Sequence, residues 1–492
     1  MTHRILSRRR LIGLLGVTMA TPLLNACGST PPAAPVAPTA AGAKPAATTA
    51  PAPAAAAKAP AAAQDVTIKI ALNGTPEKAN GMKGVTERFE AANKGIKLEY
   101  VPVQAAEWDE YYGKIVTMLA AGQQLDLTEV STEGMHLSAS KEIIQPIDSL
   151  VQAEKAELQE YFSDVAPALI EAMMYKGSLY LLPQLHGTAV LFYNNRIFKA
   201  AGVERPSDDW TTEQFLDISK KITASKPGTY AFGWPNRHWG GAIPWLYISG
   251  ANLYTESHAA GGEWLWNTFY ANDPNAKGRG GGFEWGEPTA NDPKNVEALQ
   301  FLSDLTNQHK VAPAPSGFDD LANFFASDKL AMLPAHRFMV GRLKNAGLGP
   351  DDFDVMLMPK WRTQRHQFGT SSWGLMKGTK LPEAAWAAMK WIVRKDELDR
   401  WVAGGVHTSP RRSVANDPKQ HDGIGPKHWQ VFYDALDKRP DTAPIPAPVE
   451  MKEMITIFVK YTGLVMANEL PAKDAMDKTQ AELTALKART KR

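Results

Sequence analysis

Apolar and polar positions along this chain follow two rhythms that take turns. In Asp65–Leu72 (DVTIKIAL) they alternate one for one, the period of a strand with one face buried. Asn80–Gly95 switches to apolar residues spaced three and four apart, a helix closed by Gly95. Ile96–Val103 returns to the strand pattern, Glu107–Gly122 to the helical one, Leu125–Ser131 reads as strand and Glu133–Ile143 is helix-like. Strands and helices exchanging in units of this length predict an α/β fold built on a parallel sheet. Ligands of open α/β sheets sit beyond the carboxyl ends of the strands, which draws attention to the loops Asn73–Lys78 and Ser131–Met135. No repeat of solenoid period is present.

The first residues break both rhythms. A basic patch precedes the apolar run Leu11–Met19, which is shorter than the about 20 residues a membrane span requires. The pattern is that of a secretory signal. Ser7, Arg8, Arg9, Leu11 and Ile12 resemble a twin-arginine export signal, and Leu24–Cys27 (LNAC) resembles a lipoprotein lipobox. Cys27 is the single cysteine of 492 residues, so it has no disulfide partner, and lipid attachment gives that sulfur a role. Gly28–Gln64 is mostly Ala and Pro with only Lys44 and Lys58 charged; it lacks the apolar surface to offset its ordering entropy. The expected order is a signal over 1–26, a lipidated Cys27 with a tether to 64, and a folded body from 65. The net charge of +2 becomes −2 once the four arginines of 1–26 are removed, which offers no footprint for nucleic acid.

The segment Tyr175–Ile222 carries a sharper signal. Gly177, Tyr180, Pro183, Leu191, Tyr193, Asn194, Phe198, Ala201, Gly202, Pro206, Trp210 and Glu213 stand where family 1 extracellular solute-binding proteins of ABC importers, the maltose-binding-protein-like group, place the same residues. The resemblance continues through Phe325–Leu343, Gly369–Val393 and Ala472–Leu486. Two departures fall at His336 and Phe338, where that family usually has Gly and Trp. The resemblance implies a two-lobe periplasmic-binding-protein-like (type II) α/β fold with an interlobe cleft. Its lobes would be 65–185 plus 370–405 and 186–369 plus 406–492, with chain crossings near Leu185–Val190, Gln367–Ser372 and Gly404–Arg411. It further implies a non-enzymatic, cofactor-free monomer, exported and lipid-anchored at the outer face of the cytoplasmic membrane or in the periplasm. Such a receptor captures a mono- or oligosaccharide and delivers it to the membrane subunits of an ABC permease. The residues themselves leave a polyol, a glycerol phosphodiester or a peptide open as the solute.

Aromatic residues guide the search for the cleft, because a pyranose stacks its C–H face on an indole. Trp234, Trp239 and Trp373 sit among Pro, Gly and polar neighbours and are expected at the site, together with Arg237. Trp245, with apolar neighbours, suits cleft or core equally. The resemblance adds Asn73 and Glu133 as polar sugar contacts; His186 at the first crossing suits hinge or cleft. Enzymatic readings find little support: no His-Glu-x-x-His, phosphate-cradling Gly-x-x-x-x-Gly-Lys or Gly-x-Ser-x-Gly occurs. Asp208 and Asp209 would serve a secreted glycosidase only if they shared a cleft, and a solvated turn suits them better. Tyr111 and Tyr112 invite a ferric site, but successive helix positions do not converge. Asp273, Asn275, Gly278 and Glu284 partly match a calcium loop in which Lys277 occupies a ligand position.

Overall fold

A computed structural model describes residues 65–105, 107–403, 407–439 and 441–490. The signal, Cys27 and the tether lie outside the described residues, as does the start of the third expected crossing. The strands that position the site are β1 (Val66–Asn73), β2 (Ile96–Val103), β3 (Leu127–Ser131), β4 (Leu185–Thr188), β5 (Val190–Asn194), β6 (Tyr230–Phe232), β7 (Leu330–Ala335), β8 (Phe353–Met356) and β9 (Gln367–Leu375). They form two sheets. One runs Ala443–Pro444, β9, β3, β1, β2, with β4 also paired to β9; the other runs β8, β5, β7, β6. The chain passes from the first to the second at Ala189, between β4 and β5. This is a two-lobe α/β fold.

The expected parallel sheet is mixed. β1 is parallel to β2 and β3, as helix-linked neighbours are, but β9 runs antiparallel to both β3 and β4, and β5 antiparallel to β7 and β8. A helical crossover within one sheet imposes parallel pairing; a strand arriving from the other lobe is free of that constraint. The expected helix over 80–95 is also divided, into Pro76–Gly81 and Lys83–Ala92 at Met82, where Gly81 and Gly84 lower helix propensity.

Burial follows the pattern read from the chain. Ile68, Ile70 and Leu72 of β1 are buried, and all five residues of the central β3 are buried. Helix Trp108–Ala120 packs on them through Tyr111, Tyr112 and Ile115. The Tyr111 hydroxyl donates to the carbonyl of Ala71 (3.1 Å), and the Tyr112 hydroxyl bonds the Ser131 hydroxyl (2.9 Å). Both tyrosines are therefore structural. In the second lobe, the Asn194 side chain caps helix Asn195–Ala200 by accepting from the backbone of Arg196 and Ile197, and Thr211 and Gln214 form a capping box. Each cap contributes about 1 kcal/mol. Trp210 is buried and donates its indole N–H to the carbonyl of Leu357 (2.9 Å). The tyrosine-asparagine and tryptophan signals that carried the resemblance are thus devices of folding. No helix among the described residues is long and apolar enough to cross a membrane.

The partial calcium loop does not assemble. Asp273 caps the turn Pro274–Ala276 and takes the Arg412 guanidinium at 3.2 Å, and the Asn275 amide donates to the carbonyl of Asp437 (3.0 Å). Glu284 lies on strand Phe283–Pro288, opposite Ser257. A guanidinium occupies the charge a cation would need, and among the described residues no three His, Cys, Asp or Glu side chains gather to hold a metal.

Candidate functional site

The carboxyl ends of β1 and β3 face loops that follow β6 and β7, and a cavity of about 270 Å³ lies between them. The first lobe supplies Lys78, Trp108, Glu129 and Glu133; the second supplies Arg237, Trp239, Phe318, His336, Phe338 and Arg342. Gly187 of β4 and Gly369, Thr370 and Ser371 of β9 form the floor. A second cavity of about 450 Å³ shares Trp108, Glu133, Arg237 and Trp239 with the first and extends to helix Met451–Met466. The two make one trench between the lobes.

Its apolar wall is an aromatic group. The Trp239 indole meets His336 edge to face, with ring centroids 4.7 Å apart at 88°, and His336 meets Phe338 at 4.2 Å. Phe338 in turn stands against Phe318 at 5.0 Å. Guanidinium groups lie over two of these rings, Arg237 at 5.4 Å from Phe318 and Arg342 at 4.6 Å from Phe338. Across the cavity Trp108 stacks on Tyr112 at 5.9 Å. The absent side chains matter as well. A Cβ on Gly187 would stand 2.6 Å from the His336 ring, and one on Gly369 would stand 3.1 Å from the Trp239 indole nitrogen.

Charges in the trench are mostly paired. Arg237 meets Glu107 at 2.6 Å, which ties one lobe to the other. Lys78 donates to the backbone carbonyl of Asn73 (2.7 Å) and meets Glu129 at 3.3 Å, while the Asn73 N–H donates to the same Glu129 carboxylate (3.0 Å). Burial pushes the His336 imidazole well below its ordinary range, with His407, His186 and nearby arginines adding repulsion. The Phe338 N–H donates to His336 Nδ1 (3.2 Å), which requires that nitrogen to be unprotonated.

Of the residues expected at the site, Glu133, Arg237 and Trp239 line the trench. Asn73 does not line it; its backbone holds Lys78 and Glu129 in place. His186 is fully buried on β4 with its ring edge-on to Tyr433 (5.1 Å), while its neighbours Leu185 and Gly187 line the cavity instead. Trp234 and Trp373 are 0% and 1% exposed and belong to the core, as does Trp245. Trp373 lies inside β9 opposite Glu129 and packs near Tyr100 (6.0 Å), so the small residues beside it mark tight strand packing rather than a loop. Sequence reasoning passed over Trp108, Lys78, Glu129, Phe318 and Arg342. Trp108 opens a helix after a strand, and Lys78 closes a loop already singled out, so the position of each relative to a strand end was a usable signal. Asp208 and Asp209 lie on an exposed turn beside Arg205 and Ser207.

A model of the bacterial extracellular solute-binding protein family matches residues 73–397, more than half of the 492. The chain belongs to this family. A binding protein of Brucella abortus (strain 2308) is 23% identical over 318 residues, covering 63% of this chain and 68% of that protein. A maltotriose-binding protein of Pyrococcus abyssi is 23% identical over 308 residues, 61% of this chain and 58% of the other. Among solved structures, an ABC substrate-binding protein of Listeria monocytogenes in complex with cycloalternan aligns with a TM-score of 0.69 at 19% identity, over 86% of this chain and 99% of that one.

Proposed function

We propose that this chain is the receptor of an ABC importer and that the solute held in the trench is a mono- or oligosaccharide. The lobes divide near residues 185, 370 and 405, and bend toward each other around the bound sugar. The observation that carries this reading is the composition of the trench. Trp108 and Trp239 offer flat apolar rings for C–H faces, and Glu133, Lys78, Arg237 and Ser371 stand within the same cavities to meet hydroxyls. The maltotriose and cycloalternan named for the relatives above belong to the same chemical class. Export, a lipid anchor at Cys27 and action as a monomer complete the proposal, with the Ala- and Pro-rich segment giving the lobes reach from the membrane to a permease.

Mass spectrometry of solute released from protein purified without refolding, followed by calorimetric titration with a panel of mono- and malto-oligosaccharides, tests this. Micromolar or tighter binding of at least one sugar, with no new reducing ends formed on incubation, is the expected result. Release of a peptide or a phosphodiester, with the panel silent, would overturn the sugar reading; accumulation of reducing ends would overturn the receptor reading.

A further inference from the structure

The trench lining carries four carboxylates (Glu107, Asp109, Glu129 and Glu133) and four cations, but the charges left without an opposite partner are all negative. Its cations are Lys78, Arg237, Arg342 and Lys460. Each already faces a carboxylate: Lys78 faces Glu129 (3.3 Å), Arg237 faces Glu107 (2.6 Å), Arg342 faces Asp319 (2.7 Å) and Lys460 faces Glu482 (3.1 Å). Arg237 and Arg342 are further held over Phe318 and Phe338. Three imidazoles also line the trench: His336 is neutral, since it accepts from the Phe338 N–H, and burial holds His407 down at about 4 and His238 at about 3. Every cation of the trench therefore already carries a carboxylate, with which an anionic solute would have to compete.

Two carboxylates remain. Glu133 is half-buried and receives only the hydroxyl of its neighbour Thr132 (3.1 Å), and Asp109 faces the second cavity with no basic side chain against it among the described residues. Glu133 stands where both cavities meet, so any solute filling the trench passes it. A lone carboxylate accepts hydrogen bonds from sugar hydroxyls or an ammonium, and repels a phosphate or carboxylate within the low dielectric of closed lobes.

We propose that the trench sorts solutes by charge, with Glu133 as the selecting residue: it admits neutral polyhydroxy and ammonium-bearing solutes and turns away phosphorylated and carboxylated ones. The proposal rests on the trench being the solute site, and it removes glycerol phosphodiesters from the solutes the sequence left open. Ranking follows from the same argument, with an amino sugar bound more tightly than its neutral parent and a uronic acid or sugar phosphate more weakly.

The test is calorimetry at neutral pH and low salt on two matched series, one of sugars (amino sugar, neutral sugar, uronic acid) and one of acyclic polyols (amino-polyol, polyol, aldonate). The expected outcome is an affinity order of ammonium, neutral, anion in whichever series binds, with each step about tenfold, narrowing as salt is added. Glu133→Gln is expected to compress the order, chiefly by strengthening the anion. An anion bound as tightly as its neutral parent by the unaltered protein would overturn the proposal, as would a Glu133→Gln protein with the order intact. Sugars binding without the order would sink charge sorting alone. A silent sugar series beside an ordered polyol series would sink the sugar reading alone, and silence in both would overturn the two together. The order in the unaltered protein decides the matter even if the variant fails to fold.

Discussion

At the scale of single residues, the tryptophans divide between core and trench. Trp234, Trp239 and Trp245 lie within one short stretch, yet only Trp239 reaches the trench, where Gly240 at φ +65° and the segment around it depart from helical geometry and turn the indole outward. Neighbour composition does not record such a turn, since Gly and Pro permit it without fixing its direction. Trp373 lies in the core, not the trench, for a related reason. Serines and glycines around it suggest a loop, but β9 passes between β3 and β4, and small residues there let backbone and side chains approach closely. Its ring is 1% exposed, so Trp373→Ala is expected to cost about 3–5 kcal/mol of folding stability in urea denaturation, with affinity for any sugar that binds left unchanged. A variant of normal stability and lost affinity would return Trp373 to the site. The alternation that placed Ile68, Ile70 and Leu72 in the core was legible because burial on one face of a strand depends on local spacing alone.

At the scale of elements, β1, β2, β3 and helix Trp108–Ala120 were legible nearly to the residue, whereas the direction of β9 was not, because pairing between segments more than two hundred residues apart leaves no mark on local periodicity. The departures at His336 and Phe338 mark where this chain rebuilds the end of β7. Gly187 on β4 makes room for the His336 ring, so the end of a second-lobe strand seats directly on a first-lobe strand. Gly187→Ala would place a methyl carbon 2.6 Å from ring carbon Cγ, closer than real Cβ contacts come, so strand or ring must shift. Overpacking of this kind costs about 1–3 kcal/mol. In a His336→Ala background the three atoms nearest that methyl are gone, so its cost is expected to fall below about 0.5 kcal/mol, a non-additivity that a double-mutant cycle in urea measures. Equal costs in the two backgrounds would show that the strand and the ring do not share this space.

At the scale of the whole molecule, the order of motifs along the chain made two lobes legible, while the contents of the trench come from loops of both lobes that meet only in the fold. The same assembly buries histidines throughout. Burial holds His136, His186, His407 and His421 down at about 4 and His238 and His366 at about 3, with His336 also driven well down, against an ordinary value of 6.5. Two of them accept backbone hydrogen bonds that protonation would break, His336 from Phe338 and His366 from Met358 (3.1 Å). The unfolded chain takes up protons near pH 6.5 that the folded chain refuses until near pH 4 or 3. Unfolding is therefore coupled to proton uptake, and the stability carried by these groups is full above about pH 6.5 and lost as pH falls from there towards 4. His258 opposes the trend, since its bond to Glu171 raises it and stabilises the fold below its own raised value, but it is one group against seven. Each group that titrates only on unfolding removes at most about 1.4 kcal/mol per pH unit, so even partial participation of the seven amounts to several kcal/mol between pH 6.5 and 5. Scanning calorimetry at pH 7.5, 6.5, 5.5 and 5.0 is expected to give a melting temperature nearly constant over the first step and falling steeply over the others, well above the pH at which carboxylates protonate. A melting temperature flat down to pH 5.0 would mean that these imidazoles find protons inside the fold and that their burial is relieved before the chain unfolds.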